Sequence, residues 1–388
     1  MGIDVDAVRA ETPAVAEVVH LNNAGSSLSP VPVVEAVVEH VRLEARLGGY
    51  EAAERAEAAV EGFYTGVARM VGARPEEIAF VESATRAWEL AFGSVAFEAG
   101  DRVLTTVSEY PSNALGMVKA ARERGVRVQV VEDDAFGVMD LEALERELDR
   151  GGVRVVAVNH MPTHNGLVNP VERIGALCRR AGALFLLDAC QSVGQWDLDV
   201  ERIGCDVLTA TGRKFLRGPR GTGFLYARSG ADLGEPPVVD VSSAHWEGRG
   251  YRVREDARRF ESFERSVAGQ IGLGVAAGYA VDVGLAAIQE RVGALAGRAR
   301  QGLSQVDGVR VLDRGAERSG IVTFAVEGAS AEGVRAALGR CGVHVSVSRV
   351  WNQVWEREVA VDEAVRASVH YFNTEEEVET LVRLVKER

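Results

Sequence analysis

The chain has 388 residues, of which 47% are hydrophobic and 26% charged, and it carries a formal net charge of −13. This length allows a large core and more than one domain, or one large and one small lobe. The acidic balance, without any basic run, excludes nucleic acid and an anionic membrane as partners. No stretch approaches a spanning helix and no secretory signal opens the chain, so we expect a cytoplasmic protein.

In chain order, the first element is a short helical arm that ends near residue 20. A long amphipathic helix is predicted after Pro30 and runs to about Leu47, where Gly48-Gly49-Tyr50 breaks it. Seven apolar runs then predict buried strands, with helical patterns between most of them. These runs are Ile78–Val81, Val103–Thr106, Val126–Val131, Val153–Asn159, Ala183–Leu187, Val207–Thr211 and Thr222–Ala227. Such alternation predicts a mostly parallel sheet covered on both faces.

Two charged residues follow neighbouring predicted strands. Asp188 stands where one strand ends, and Lys214 follows the next strand, just before a glycine-rich segment. Because the carboxyl ends of parallel strands line the ligand crevice of such a sheet, both side chains are expected to face one site. A lysine that binds the cofactor covalently and a carboxylate that keeps the pyridine nitrogen protonated are what pyridoxal phosphate (PLP) chemistry requires.

The stretches Asp188-Ala-Cys-Gln-Ser-Val-Gly and Thr211-Gly-Arg-Lys214 resemble the class V aminotransferase, or cysteine desulfurase-like, group of fold-type-I PLP enzymes. The resemblance extends over nearly the whole chain. It implies an α/β fold with an N-terminal arm at residues 1–20, a large seven-stranded PLP-binding domain at 21–265, and a linking helix with a small C-terminal α/β domain at 266–388. It also implies a homodimer with its site at the subunit interface and an amino acid as substrate.

The resemblance assigns cofactor contacts to loops that follow the strands. Ala84 and Thr85 take the phosphate role at a helix N-terminus, where N–H groups and the helix dipole favour an anion. Tyr110 stands where desulfurases carry a histidine that stacks on the pyridine ring, and a tyrosine stacks as well. Thr163 occupies the position of an asparagine that contacts the ring hydroxyl in desulfurases, and Gln191 is expected to hydrogen-bond the same ring oxygen.

The loop that contains the lysine completes the predicted cofactor contacts. Thr211 matches a family hydroxyl that reaches the phosphate. Arg213 replaces the usual histidine, and a guanidinium there can bind phosphate bidentately. Lys214 is the natural base for the Cα proton. The four cysteines form no CxxC pair and fit no zinc template, so we expect free thiols in a reducing compartment and no metal.

Substrate contacts follow from the same resemblance. Arg366 lies on a predicted strand that grips the substrate α-carboxylate through a two-pronged contact, the alternative being a surface ion pair. Asn23 lies in a segment that passes beside the substrate, or in a plain Asn-rich turn. Tyr50 either reaches a neighbouring subunit's site or packs at the interface. His164 is a candidate for substrate contact or proton transfer, although a loop histidine is more often structural.

One loop position sets the expected reaction. Desulfurases of this group place a catalytic cysteine fifteen residues before the arginine, and that position here is Trp351. A persulfide needs a thiolate at the substrate sulfur, so we expect no cysteine desulfurase. The expected function is a carbon–sulfur β-lyase that splits an S-substituted cysteine or its sulfoxide into thiol, pyruvate and ammonia. This resembles the hercynylcysteine sulfoxide lyase and isopenicillin N epimerase branches, with Trp351 and Tyr50 lining the pocket.

The alternatives share the cofactor site and differ in the later chemistry. An aminotransferase, an epimerase or a decarboxylating oxidative deaminase acting on a related S-conjugated amino acid in natural-product biosynthesis would use the same lysine and aspartate. Fold alone does not choose among them.

Overall fold

The computed structural model describes residues 2–349, 355 and 361–387. Its helices are α1 (Val5–Ala10), α2 (Val31–Leu47), α3 (Gly49–Arg55), α4 (Glu57–Val71), α5 (Ala84–Gly93), α6 (Pro111–Arg124), α7 (Leu141–Asp149), α8 (Val171–Ala181), α9 (Val200–Ile203), α10 (Val267–Val283), α11 (Leu285–Ser304), α12 (Ala331–Arg340) and α13 (Glu375–Lys386). Its strands are β1 (Val19–His20), β2 (Ile78–Val81), β3 (Arg102–Thr105), β4 (Arg127–Val130), β5 (Val153–Asn159), β6 (Leu184–Asp188), β7 (Val207–Thr211), β8 (Gly223–Ala227), β9 (Ala244–Glu247), β10 (Gly250–Val253), β11 (Val309–Val311), β12 (Ile321–Val326), β13 (Val343–His344), β14 (Ser346–Arg349) and β15 (Glu363–Ser368).

The large sheet has seven strands in the order β2-β8-β7-β6-β5-β3-β4. The pairs from β7 to β4 are parallel, whereas β8 runs antiparallel to both of its neighbours, β2 and β7. The predicted seven-stranded, mostly parallel α/β sheet is confirmed. Each predicted apolar run holds one of these strands, because a strand covered on both faces must be apolar along its whole length.

Helices cover both faces of the large sheet. All five residues of β6 are buried, and apolar side chains of α8 pack beside it as one buried face, from Val171 through Ile174 to Cys178. Gly175 lies in that face, and a Cβ placed on it would lie 1.9 Å from the carbonyl oxygen of Ile203. Only a glycine lets the two backbones approach this closely.

A glycine-rich segment of α10 produces a second close approach. A Cβ on Gly274 would lie 2.7 Å from the Cα of Phe63 in α4, so this segment serves helix packing. No single helix in the described part of the chain is long and apolar enough to cross a membrane, and α10 with α11 meets those criteria only as a pair bent by 79°.

The small sheet is antiparallel, in the order β11-β12-β15-β14. Arg366 lies in the central strand β15, between Thr323 of β12 and Ser346 of β14. The N-terminal segment is attached to this region, because β1 pairs in parallel with β13 and Asn22 forms an isolated bridge with Ser368. The division of the chain at residues 20 and 265 stays a prediction.

Candidate active site

A cavity lies at the edge of the large sheet where β6 and β7 end. The space free of protein atoms there, open solvent at its mouth included, is about 400 Å³. The residues that line it come from four loops: Ser83, Ala84, Thr85, Tyr110, Asn113, Asp188, Cys190, Thr211, Arg213 and Lys214. The fold therefore brings the predicted acid, lysine, aromatic ring and helix N-terminus to one place.

Lys214 follows β7 by three residues and is only 8% exposed. Burial lowers the pKa of its amine below the ordinary value, and the neighbouring Arg213 and Arg366 act in the same direction, while Cys190 and Asp188 oppose them. A lower pKa increases the fraction of neutral amine. A neutral amine is the form that attacks a carbonyl carbon or accepts a proton.

Asp188 is the last residue of β6 and is 7% exposed. Its Oδ1 accepts a hydrogen bond from the backbone N–H of Cys190 at 2.9 Å, and its Oδ2 accepts one from Nδ2 of Asn113 at 2.9 Å. Both oxygens are thus fixed in direction. A carboxylate held in this way can accept a further hydrogen bond from a protonated ring nitrogen in the cavity.

The aromatic residue and the helix N-terminus lie on the cavity wall. Tyr110 is the N-cap residue of α6, lines the cavity and is 36% exposed. Ala84 and Thr85 are the first residues of α5, and the helical hydrogen bonds start with Ala87 N–H to the carbonyl of Ser83. The N–H groups of Ala84 and Thr85 precede that first bond, which is the arrangement that binds phosphate.

Thr211 and Arg213 also line the cavity but are already engaged with the protein. The Thr211 hydroxyl donates to the carbonyl of Thr222 at 3.2 Å. Arg213 Nη1 donates to the carbonyl of Gly25 at 2.6 Å. Their predicted phosphate contacts stay predictions, and the remaining N–H groups of the guanidinium are the part of Arg213 that an anion can use.

A chain of hydrogen bonds joins Gln191, which follows Cys190 of the cavity lining, to the small sheet. Gln191 Nε2 donates to the Thr163 hydroxyl oxygen at 2.9 Å, and Arg366 Nη1 donates to the same oxygen at 2.8 Å and to the Thr163 carbonyl at 2.7 Å. Gln191 Oε1 is buried and has no hydrogen-bond partner within the described residues. Since buried polar atoms are normally paired, this oxygen is a place for a ligand hydroxyl.

Arg366 presents a partly used guanidinium. Its Nη2 makes only a long contact, 3.5 Å to Oδ1 of Asn22, and its Nε is buried without a partner in the described ranges. Burial, assisted by the positive charge of Arg213, lowers the pKa of Arg366 to about 10, so the group remains charged at neutral pH. The Nε and Nη2 edge can take a carboxylate through two parallel hydrogen bonds.

Six predicted residues in the described part of the chain lie outside the cavity lining: Thr163, Gln191 and Arg366, described above, and Asn23, Tyr50 and His164. Asn23 is fully buried, and its amide is used by the protein: Nδ2 donates to the carbonyls of His20 and Ser368, and Oδ1 accepts from the Ser27 hydroxyl. Tyr50 is 78% exposed on α3, where its ring lies 6.4 Å from that of Phe263. Their substrate roles stay predictions, and that of Tyr50 requires a second copy of the chain.

His164 is buried beside Arg366. Burial, together with the positive charges of Arg366 and Arg314, lowers the pKa of its imidazole to about 4. The ring is therefore neutral at physiological pH and a weak base, so the predicted proton transfer has little support from its electrostatics. Trp351 lies outside the described residues.

Sequence reasoning missed four residues around the site. Cys190 and Asn113 line the cavity, Glu109 is buried behind Asn113, and Asn22 is the neighbour that contacts Arg366. Spacing offers a weak signal for the Glu109–Asn113 contact, because residues four apart lie on one face of a helical turn. The other contacts depend on how separate elements meet.

The comparison with protein families agrees with this geometry. The model of the family described as aminotransferase class-V matches residues 19–381. The chain belongs to the aminotransferase class V family. PLP is its cofactor, and one solved structure of the same fold carries glycine covalently linked to PLP. The residues fit this group: a buried lysine, a fixed carboxylate, a partly exposed aromatic ring and a helix N-terminus line one cavity, and the unpartnered amide oxygen of Gln191 lies one residue after Cys190 of its lining.

Two sequences and one solved structure that are similar to this class V chain are named cysteine desulfurases. A "probable cysteine desulfurase" of Pyrococcus abyssi is 31% identical and aligns with 98% of this chain and 96% of its own length. "Probable cysteine desulfurase 2" of Mycobacterium leprae is 32% identical, and the alignment covers 98% of this chain and 95% of that protein. The apo cysteine desulfurase of Thermococcus onnurineus NA1 has a TM-score of 0.92 at 29% identity, covering 100% of this chain and 98% of that one.

These relatives correct the expected reaction. The prediction of a carbon–sulfur β-lyase that is not a persulfide-forming desulfurase is wrong, because the relatives along the full chain are named cysteine desulfurases. The predicted lyase and epimerase branches are not supported either. The error came from one loop position, Trp351, although a sulfur-accepting thiol can come from another part of the protein or from a second molecule.

Proposed function

We propose that this class V enzyme is a PLP-dependent cysteine desulfurase, which removes the sulfur of L-cysteine, passes it to a thiol and leaves L-alanine. The observation that carries the proposal is the similarity to proteins named cysteine desulfurases at about a third identity over 98% of the chain. Lys214 and Asp188 line one cavity, and the charge of Arg366 lies near enough to Lys214 to lower its pKa. This placement supports the proposal, because an α-amino acid offers an amine, an α-proton and a carboxylate to those three groups.

In this proposal the cofactor is held by residues of the cavity wall. Asp188 binds the ring nitrogen, Tyr110 stacks on the ring, the N–H groups of Ala84 and Thr85 bind the phosphate, and Lys214 holds the cofactor covalently in the resting enzyme. Bound PLP withdraws electron density from the α-carbon of the amino acid. The other tasks belong to the chain.

The substrate is oriented by Arg366 and deprotonated by Lys214. The Nε and Nη2 edge of Arg366 binds the α-carboxylate, which positions the α-carbon toward the amine of Lys214. Because burial lowers the pKa of that amine, the neutral form is available to take the Cα proton. The same amine can return a proton to the product.

Sulfur transfer requires a thiolate. The thiolate sulfur attacks the substrate Sγ, the Cβ–Sγ bond breaks, a new S–S bond forms, and the electron pair left on the β-carbon is protonated to give the methyl group of alanine. Cys178 and Cys205 lie in the core, and burial with the charge of Asp188 raises the pKa of Cys190 to about 12. The exposed thiol is Cys341, so we expect Cys341 or an added small thiol to be the acceptor.

We also propose that the enzyme is a homodimer. Large apolar side chains lie on its surface: Leu115 and Val118 on α6, Trp246 on β9, and Tyr50 against Phe263. The class V family supplies the main support for a dimer, and these exposed apolar side chains are groups that a subunit interface would bury. Sedimentation of the purified protein is expected to give twice the chain mass, and a monomer at micromolar concentration would reject this part of the proposal.

The reaction is tested with the PLP-loaded enzyme and L-cysteine, with and without dithiothreitol. We expect L-alanine to form, with one persulfide or sulfide released per alanine. Lys214→Ala is the inactive control. Cys341→Ala separates the two acceptors: activity that then depends on dithiothreitol identifies Cys341 as the acceptor, and unchanged activity identifies an external thiol. Pyruvate and ammonia in place of alanine would refute the proposal.

A further inference from the structure

A second buried carboxyl group, Glu109, lies behind the wall of the cofactor cavity. It is 1% exposed. Its Oε2 is 3.0 Å from the Thr105 hydroxyl, and its Oε1 accepts hydrogen bonds from the backbone N–H of Tyr110 at 2.7 Å and from Nδ2 of Asn113 at 3.0 Å. Glu109 thus contacts both the stacking residue and the cavity wall without lining the cavity itself.

The amide of Asn113 joins the two carboxyl groups. The same Nδ2 that donates to Glu109 also donates to Oδ2 of Asp188 at 2.9 Å. An amide nitrogen carries two hydrogens, so one bond to each carboxyl group uses its full capacity. The direction of Oδ2 in Asp188 is therefore coupled to the position of Glu109.

The charges around Glu109 favour its neutral form. The charged group that faces it is Asp188, on β6, which is another acid; the groups facing it from β3 and α6 are the uncharged side chains of Thr105 and Asn113 and the backbone of Tyr110. An ionised Glu109 would be a buried anion beside a second anion, which is costly. Burial and Asp188 accordingly raise the pKa of Glu109 to about 8.

We propose that Glu109 is a positioning residue for the cofactor: in its protonated form it acts through the Asn113 amide to fix Asp188 against the ring nitrogen. The inference rests on the cofactor role of Asp188 stated above. A neutral Glu109 leaves Asp188 as the anion of this pair, so the ring nitrogen meets one localised negative charge. The bond to the Tyr110 N–H holds the stacking residue by the same group.

Two variants separate position from charge. Glu109→Gln reproduces the protonated acid, because its Oε1 can accept from Tyr110 and Asn113 while its Nε2 donates to the Thr105 hydroxyl. Glu109→Ala removes every one of these contacts. Glu77→Ala is the matched control: Glu77 is also a buried glutamate, hydrogen-bonded by Ser229 N–H, but it precedes β2 at the end away from the cavity.

The readouts are the dissociation constant of PLP, the absorption spectrum of the bound cofactor and the ¹⁵N chemical shift of a ring-labelled cofactor. We expect Glu109→Gln and Glu77→Ala to match the wild type in all three. We expect Glu109→Ala to bind PLP roughly tenfold more weakly, the effect of one lost hydrogen bond to a charged site, and to move the ¹⁵N signal toward the unprotonated value. Thermal midpoints of all variants show that each is folded.

A double-mutant cycle with Asn113→Ala tests the route. If Glu109 acts through Asn113, the double variant loses clearly less PLP affinity than the sum of the two single losses. Additive losses would overturn the route. A ¹⁵N shift in Glu109→Gln as large as that in Glu109→Ala would overturn the neutral form, and a wild-type signal in Glu109→Ala would overturn the positioning role. A wild type that binds no PLP would instead reject the cofactor assignment on which the inference depends.

Discussion

The proposed carboxylate contact of Arg366 can be tested by a substitution that removes the planar guanidinium and keeps the positive charge. Arg366→Lys retains a cation on β15 but loses the planar guanidinium whose Nε and Nη2 edge is open toward a ligand. Nη1 of Arg366 donates to the carbonyl oxygen and the hydroxyl oxygen of Thr163, at 2.7 and 2.8 Å, and these bonds fix the orientation of the guanidinium. A lysine side chain cannot restore the lost contact by rotating.

The expected loss of kcat/KM in the variant follows from the burial of this contact. Arg366→Lys keeps the cation and loses one of the two parallel hydrogen bonds, and a hydrogen bond to a charged group contributes about 1.5–3 kcal/mol. At about 1.4 kcal/mol per factor of ten, kcat/KM for L-cysteine falls by roughly 10- to 150-fold. Most of the loss is expected in KM, because the carboxylate is bound before and during the reaction to the same extent.

The assay compares L-cysteine with cysteamine, which lacks the carboxylate. Binding of each is followed through the absorption change of the bound cofactor, in the wild type and in Arg366→Lys. The variant is expected to weaken L-cysteine binding strongly and to leave cysteamine binding within about twofold. An equal loss for both ligands would show that Arg366 shapes the cavity and does not bind the carboxylate.

Three further expectations follow. Lys214→Ala is expected to abolish turnover, and borohydride treatment followed by mass spectrometry is expected to find no cofactor attached to the chain; a labelled chain would place the covalent site elsewhere. Gly175→Ala is expected to destabilise the protein by about 1–3 kcal/mol or more in urea unfolding, because its Cβ would meet the Ile203 carbonyl, whereas Gly297→Ala, with open space around it, is expected to cost nothing. Since the pKa of Glu109 is raised on folding, its carboxyl binds more protons in the folded state than in the unfolded state. The free energy of unfolding of the cofactor-free protein is therefore expected to fall as pH rises from about 4.5 to 8, by at most about 1.4 kcal/mol per pH unit. Glu109→Gln is expected to remove this fall, and an unchanged slope in the variant would refute the expectation.

The fold was largely readable from the sequence, because buried strands are apolar along their whole length. The runs at 153–159 and 207–211 coincide with β5 and β7, and Asp188 and Lys214 follow from their places at strand ends. The direction of β8 was not readable, since an apolar run has no polarity that distinguishes parallel from antiparallel pairing.

The contacts of the site were less accessible. The hydrogen bonds that join Gln191, Thr163 and Arg366 connect residues up to 203 positions apart, and no local pattern encodes such a meeting. Asn23 matched a family segment, yet its amide is used within the protein. The expected reaction is wrong for a related reason: one residue type in a loop does not decide a chemistry that a thiol from elsewhere can complete.

The separation of the two sheets has a consequence for how this enzyme diversifies. Every side chain that lines the cofactor cavity lies between residues 83 and 214, whereas the guanidinium that faces the ligand comes from β15 in the last tenth of the chain. Thr163 connects the two regions, because its hydroxyl is hydrogen-bonded to both Gln191 and Arg366. Substitutions in β15 and its neighbours can therefore alter which acid is accepted while the catalytic apparatus remains intact, and selection can act on the two properties independently.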